Sequence, residues 1–364
     1  MSSSSIGETV HIVEPTLRDE AGHCHSLIAN LAACGTRPQL VVWGDRKIYL
    51  PLLESLPALE IKAYFFRKLR RVQAYFLYRR LLGEAGNIFI STAGRTDMVL
   101  MDWAAGKQNY PDKIFFYVHW LGMSGAKKRQ LEKIARRHPE FNLLATTKSA
   151  AEDLRGCGFT SAKQIPYPVS ATPATNRHEF KYVLVAGAAR HDKGLSQAID
   201  YIVFLNNSKA DIAVKIQTSA EHYAKVDELA RAEIRRLENI GYSPLIRQQT
   251  TLSMDAYRAM FEGAICLQPY DPDDFADRVS GVTLDALRAG APVITTDHTW
   301  MADIVKRFDA GVVLQDRSAQ RIHEAVETIR ARYDEYQANA FNAGLVLANE
   351  NSAQHLMDAI TARG

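Results

Sequence analysis

The stretch from Ala264 to Val305 gathers the residues best suited to chemistry. Ala264 to Leu267 is a short apolar run that stops at Pro269, the pattern of a buried parallel strand. Asp271, Asp273, Asp274 and Asp277 follow as an acidic loop. Ser280 is a favoured helix N-cap and Gly281 lets a ligand approach the backbone, while Leu284, Leu287 and Arg288 continue at helical spacing. Gly290 ends that helix, and Pro292 leads into a second strand, Val293 to Thr296. Strand, acidic loop, helix start and strand make half of a nucleotide site. The unpaired N–H groups of the first turn (Ser280, Gly281, Val282) suit a phosphate, and the carboxylate of Asp285, one turn in, suits ribose hydroxyls.

Three further places carry candidate chemistry. Val183 to Ala186 runs straight into Gly187 and then Arg190, His191, Asp192, Lys193 and Gly194 before another helix. Two cations and backbone donors at a helix start suit a diphosphate, although the dinucleotide fingerprint G-x-G-x-x-G is missing. His119 closes the run Ile114 to Val118 and leaves a polar ring at the C-terminal end of a buried strand, where doubly wound sheets bind ligands. Gly22 and His23 stand at a helix start after the first strand, where an anion fits. No metal or other cofactor is expected. His23 and His25 lack a third ligand, and Asp271-x-Asp273 reads as an ordinary acidic loop.

The Asp277–Val293 block resembles the C-terminal signature of retaining glycosyltransferases of the two-Rossmann (GT-B) type, family 4. Gly290-Ala291-Pro292-Val293 keeps the family's ending. Asp277 and Asp285 take its two acidic positions at the same spacing, each an Asp where the family has Glu, and Arg278, Val279 and Ser280 replace its glycines. Lys193-Gly194 matches the element that grips the donor's pyrophosphate, with Arg190 a little later than the family's Arg. The resemblance implies two facing Rossmann-like domains with parallel sheets and transfer of a sugar, with retention, from a nucleotide-sugar donor to a saccharide or lipid-linked acceptor. It implies that Arg190 and Lys193 stabilise the leaving diphosphate and that His119 positions the sugar. Gly187, Gly194, Asp277, Ser280, Gly281, Val282 and Asp285 would bind the donor, and the loop with Gly22 and His23 would meet phosphate or acceptor. No protein nucleophile and no metal are implied. Two other readings use the same residues: a sugar-nucleotide epimerase, and a non-catalytic partner subunit, which the two shortened acids would suit.

The elements that position these residues follow from length and pattern. A chain of 364 residues suggests two domains, and its 47% apolar and 23% charged residues are ordinary for a globular protein. No apolar run is long enough to span a membrane, Met1 to Ser5 is a polar stub, and four scattered cysteines fit neither a zinc site nor a disulfide frame, so the cytoplasm is the expected location. Short apolar runs alternate with helical patterns in two series, predicting βαβ units over 1–170 and 178–348 separated by the Pro- and Thr-rich stretch 165–177. The first series has strands near Val10, Leu40, Ile61, Ile88, Ile114 and Leu143; the second has strands near Tyr182, Ile212, Ala264, Val293 and Val312, with its longest helix at 221–239. The tail from Arg317 to Arg363 reads as two helices broken near Asn349, the last one (about 350–364) packing back on the N-terminal domain through Leu356, Met357 and Ile360.

Charge divides unevenly. Residues 1–170 hold 23 Lys and Arg against 15 Asp and Glu, and the remainder 21 against 26. The segment 64–82 has six basic residues and no acid, with Phe65, Leu69, Val72 and Phe76 at the spacing of one helical face, and a second basic helix covers 127–137. Two solvated helix faces over a core would explain the pattern, and so would an anionic membrane surface; no motif for nucleic acid accompanies it.

Overall fold

The computed structural model describes residues 9–20, 22–35, 38–54, 56, 58–169, 176–218, 228–250 and 252–361, and forms two compact units, residues 1–170 with 350–364, and residues 171–349. The polar stub Met1 to Ser5, residues 170–175 of the Pro-rich stretch, the first turns of the helix expected from 221 and the side chains of Gly22 and His23 lie outside the described residues.

In the first unit the strands are β1 (Thr9–Val13), β2 (Gln39–Asp45), β3 (Leu59–Phe65), β4 (Asn87–Ile90), β5 (Ile114–Val118), β6 (Asn142–Ala145) and β7 (Lys163–Gln164). They form a parallel sheet in the order β3-β2-β1-β4-β5-β6-β7. The helices are α1 (Gly22–Ala32), α2 (Pro51–Glu54), α3 (Arg70–Gly83), α4 (Arg95–Ala105), α5 (Gly125–Arg137) and α6 (Lys148–Gly156). Strand β5 shows why an unbroken apolar run works here. Ile114, Phe116 and Val118 join the core under α3 to α6, and Phe115 and Tyr117 join the core under α1, so both faces are covered.

The second unit repeats the plan. Its strands β8 (Tyr182–Val185), β9 (Val214–Gln217), β10 (Leu245–Gln248), β11 (Ala264–Gln268), β12 (Val293–Thr296) and β13 (Gly311–Leu314) are parallel in the order β10-β9-β8-β11-β12-β13. Helices α7 (Leu195–Ser208), α8 (Glu228–Glu238), α9 (Met254–Ala259), α10 (Pro272–Phe275), α11 (Gly281–Arg288), α12 (Trp300–Phe308), α13 (Ala319–Ala331) and α14 (Tyr333–Glu350) belong to this half of the chain. Gly344 of α14 lies against the backbone of α11, where an added Cβ would stand 2.7 Å from the Leu287 carbonyl oxygen. Edge strands β7 and β10 fall outside the sequence expectations because neither carries a long apolar run: β7 is two exposed polar residues, and in β10 Leu245 and Ile246 are followed at once by Arg247 and Gln248.

A last helix, α15 (Ala353–Thr361), belongs to the first unit, where Leu356, Met357 and Ile360 are buried among Val10, Ile12, Phe89 and Phe115. The Asn87 side-chain amide donates to the Ile360 carbonyl at 2.6 Å, and Asn351 exchanges bonds with the backbone of Tyr167 and Val169. The tail is three helices rather than the expected two. It breaks at Arg332 as well as at Asn351, and just beyond the first break Tyr333 and Tyr336 enter the core of the second unit, with the Tyr333 hydroxyl donating to the Ala264 carbonyl.

The basic segment also departs from its helical reading. Residues 64 and 65 end β3, α3 begins only at Arg70, and the buried face of α3 is Ala74, Leu77, Tyr78, Leu81 and Leu82. Leu69, Val72 and Phe76, at core spacing by periodicity, are exposed. Periodicity marks an apolar face without saying which face the sheet covers.

If α15 completes the first unit's core, Leu356→Ala lowers that unit's stability by about 2–5 kcal/mol, as for other fully buried leucines. Urea unfolding followed by tryptophan fluorescence measures it, since Trp43, Trp103 and Trp120 all belong to this unit.

Candidate nucleotide site

In the second unit the order of connection reverses between β8 and β11, so the chain leaves their C-terminal ends toward opposite faces and opens a crevice there. The Gly187–Gly194 loop leaves β8 and the Pro269–Ser280 loop leaves β11. Gly187 takes φ +89°, and its N–H donates at 2.8 Å to the Gln217 side chain at the end of β9. A Cβ there would stand 3.1 Å from Val282 and 3.3 Å from the Lys193 ammonium, so these three residues converge. Gly194 closes a short 3-10 turn at φ +69°, and a Cβ would come within 2.1 Å of the Pro269 carbonyl oxygen. The Asp271 N–H donates to the Asp192 carbonyl at 3.0 Å, joining the loops a second time.

Cations crowd this junction. Arg190 grips Asp192 with two guanidinium nitrogens, Nε at 2.8 Å from Oδ1 and Nη2 on Oδ2. Arg278 Nη1 lies 3.7 Å from the same carboxylate and its guanidinium lies over the Phe275 ring. Lys193 forms no ion pair with a described carboxylate and lies 5.4 Å from the centre of the Tyr270 ring. Burial first, and then the charge of Arg190, lowers its pKa to about 8; Asp192 opposes the shift and Arg278 adds to it. Three cations thus gather about Asp192, with Asp274 also acting on Arg278, and the partly desolvated Lys193 ammonium is one that an anion would stabilise.

The helix start beside it is built as the pattern suggests. Ser280 is the N-cap of α11, its hydroxyl accepting the Thr283 N–H, and the Thr283 hydroxyl donates at 2.6 Å to the buried Gln268 side chain on β11. The N–H groups of Gly281 and Val282, in the first turn, are left for an outside acceptor. A Cβ on Gly281 would meet no atom within 4 Å, so that glycine is not demanded by packing. Asp285 sits half-buried one turn further on, taking a 3.3 Å bond from the Tyr257 hydroxyl. Burial raises its pKa, while Arg288, Tyr257 and Arg258 oppose the rise. Asp285 and Lys193 both act on the thiol of Cys266 in β11, which burial pushes up to about 12, so the acid and the cation flank the same strand. Asp277 is half-buried in the loop that precedes the N-cap.

Sequence reasoning did not single out Arg278, Asp192 or Tyr257. Arg278 read only as a replaced glycine and Asp192 only as a member of the stretch before Gly194; the signal was the Arg190-x-Asp192 spacing, which lets one side chain clamp the other. Asp271 caps α10 by accepting the Asp273 N–H and pairs with Arg317 at 3.4 Å. Among the described residues, no group of three His, Cys, Asp or Glu side chains is arranged to hold a metal ion.

The remaining candidates belong to the first unit. His119 follows β5 with its ring edge-on to Tyr117 and Tyr167, at 4.9 and 5.4 Å between centroids, and its carbonyl accepts from Thr146. Sequence reasoning missed Glu14, which directly follows β1 beside β4, where this sheet also reverses. It is 1% exposed and accepts bonds from the hydroxyls of Thr16, Ser91 and Thr92. Cys24 on α1 adjoins this cluster, its thiol pushed up to about 12 by burial and by Glu14. The backbone of α1 begins at Gly22, and His25 is buried, which lowers its pKa.

Two parallel-sheet units, each with its crevice at the strand C-termini and with a terminal helix returning to the first, are the plan of the GT-B glycosyltransferase fold, and this chain has that fold. HepE from Anabaena, in complex with UDP and glucose, superposes with a TM-score of 0.68 at 13% identity, over 95% of this chain and 96% of that one. The E. coli trehalose-6-phosphate enzyme bound with UDP-2-fluoro glucose gives 0.67 at 9% identity, over 98% and 99%. WaaG, a glycosyltransferase involved in lipopolysaccharide biosynthesis, gives 0.64 at 14% identity, over 97% and 100%. No family model matches the sequence, and no curated protein matches it.

The lowered pKa of Lys193 makes anion binding pH-dependent. An anion beside it favours the ammonium, so binding at a pH above about 8 takes up a proton. Affinity for a fully ionised nucleoside diphosphate should hold near neutrality and fall as pH rises through about 8. Titration calorimetry with UDP in buffers of different ionisation enthalpy reads both, and Lys193→Arg should remove the fall.

Proposed function

We propose that this protein is a glycosyltransferase that moves a sugar from a nucleotide-sugar donor to a saccharide or lipid-linked acceptor, with retention and without a metal or other cofactor. The observation that carries the reading is the cluster of Arg190, Lys193 and Arg278 about Asp192, with Lys193 buried, at the point where the second sheet reverses. Such a cluster does most for a group whose negative charge grows during the reaction, which is what a departing diphosphate does. HepE, similar in fold, is in complex with UDP-glucose, which supports a nucleotide sugar as the donor class.

In this reading the donor's phosphates lie between the Gly187–Gly194 loop and the first turn of α11. Lys193 and Arg190 bind the phosphate oxygens, and the N–H groups of Gly281 and Val282 complete the cradle. Asp285, held by Tyr257, accepts from the ribose hydroxyls, with Asp277 on the same side of the donor. His119 positions the transferred sugar, and the loop at Gly22 and His23 meets the acceptor. The leaving phosphate takes the acceptor's proton as the new glycosidic bond forms on the face the diphosphate leaves. The setting would be cytoplasmic synthesis of a cell-surface polysaccharide or glycoconjugate, with the basic segments 64–82 and 127–137 toward an anionic membrane surface.

Lys193→Ala should weaken nucleoside-diphosphate binding by about 1.5–3 kcal/mol, the worth of a hydrogen bond to a charged group, and abolish turnover of the nucleotide sugar. Thermal shift against UDP, GDP, ADP and their sugars identifies the donor first. Wild-type affinity in the Lys193→Ala protein would put the phosphates elsewhere, and donor binding without turnover on any acceptor would favour the non-catalytic partner. Asp285→Asn should keep the fold yet weaken a ribonucleotide sugar more than its 2′-deoxy analogue. Lost stability with unchanged affinity would make Asp285 a structural helix residue, worth about 0.3–1 kcal/mol near the α11 N-terminus.

A further inference from the structure

The loop that leaves β5 holds an indole outward at the C-terminal end of the first sheet. Trp120, directly after His119, is 43% exposed, while the residues beyond it turn inward: Leu121 is buried in the core under α3 to α6, and Met123 packs against the same core. The ring is fixed where it stands. A Cβ on Gly122 would come within 2.7 Å of it, so bare backbone lies against the indole. The Lys127 ammonium reaches back from α5 to the carbonyls of Leu121 and Gly122, at 3.0 and 2.7 Å. It also stands over the Trp120 ring, 5.9 Å from the centre. The His119 carbonyl accepts the Thr146 hydroxyl at 3.1 Å, which ties down the start of the loop.

Strand β5 runs between β4 and β6, and the loops after both neighbours are bonded to its end. The Ala93 N–H donates to the Tyr117 carbonyl at 2.9 Å, and the Thr146 N–H donates to the Val118 carbonyl at 3.0 Å. These loops carry exposed polar side chains, Thr92 and Arg95 after β4, and Lys148 and Ser149 after β6. The end of the sheet where doubly wound folds take their ligands therefore offers a flat apolar plate, with hydroxyls and cations on the loops to either side.

We propose that Trp120 is the platform on which a pyranose ring of the acceptor stacks, so that the end of the acceptor that receives the new sugar is itself a sugar. This deepens the proposed function and rests on its reading of the first unit as the acceptor side. The chemistry selects that occupant. A pyranose carries its hydroxyls around its edge and C–H groups on its faces; the negative face of an indole meets those C–H groups and leaves the hydroxyls to polar neighbours. A bare phosphate would call for charge, and an alkyl chain for a continuous apolar trough; a single indole supplies neither. A protein partner would need far more apolar area than one ring. Because Gly122 and Lys127 already hold the ring, stacking on it orders little that was free.

Fluorine NMR of the full chain labelled with fluorotryptophan tests it, with one resonance each for Trp43, Trp103, Trp120 and Trp300 and Trp120→Phe assigning the third. The methyl pyranosides of glucose, galactose, mannose and N-acetylglucosamine are titrated one at a time. At least one should move the Trp120 resonance and leave that of Trp103, which is also exposed, in place. Trp120→Ala, and Gly122→Ala, which displaces the ring, should each weaken that glycoside at least about tenfold, and Trp120→Phe less. In Trp120→Ala the thermal midpoint and the UDP affinity should stay those of the wild type, since the indole is exposed and the nucleotide site belongs to the second unit. A Trp120 resonance that none of the glycosides moves, or variants that bind the glycoside as the wild type does, would overturn the proposal. So would a Trp120→Ala protein that loses UDP instead, because the indole would then hold a base. A wild type that fails to bind UDP while a glycoside still moves Trp120 would strike the nucleotide reading and keep the sugar platform.

Discussion

A backbone oxygen occupies the space a side chain would need. The Pro269 carbonyl lies 2.1 Å from where a Cβ on Gly194 would be, and Gly194 itself is held at a left-handed φ of +69°. The loop after β8 can therefore lie directly on the loop after β11 only while residue 194 has no side chain. Everything that makes the second unit chemically distinctive follows from that contact. It brings the Arg190–Lys193 turn beside Tyr270 and Arg278, and it shields Lys193 from water enough to lower its pKa to about 8. Lost contact here would return these cations to solvent, where they would repel one another less and attract an anion less.

Asp192 decides what kind of pocket results. It holds Arg190 in a two-point grip and lies 3.7 Å from Arg278. The carboxylate thus fixes the position of Arg190 without cancelling the field. The third cation, Lys193, has its ammonium in a place that penalises charge, which is why burial and the nearby Arg190 lower its pKa to about 8.

The layout was legible because parallel strands buried on both faces write themselves as apolar runs, as Ile114–Val118 and Ala264–Gln268 do. The Ser280 N-cap and the glycines at 187 and 194 were legible too, since helix starts and left-handed turns restrict residue type. Other features left no such mark. Leu245–Gln248 pairs along one edge with half its residues exposed, so it lacks a run. Phe76 and Leu69 keep core spacing while facing outward, because a period locates a face and not its cover. Arg278 and Tyr257 reach the site from separate loops and helices, which only the folded chain brings together. The comparisons add the GT-B plan at 9–14% identity, a level at which architecture persists after most side chains have changed.

One bond couples the order of synthesis to the order of folding. The amide of Asn87 is answered by the carbonyl of Ile360, 273 positions later, and Leu356 and Met357 seal the apolar layer over β1 and β4. During translation the first unit therefore emerges with one face of its sheet covered only in part, by α1 and α2 without α15. It stays so until the whole second unit has followed it off the ribosome. For that interval Phe89, Phe115 and Ile12 lack their closing helix. The part of the protein made first is the part completed last, and nascent chains stalled inside the second unit would be the ones most in need of a chaperone.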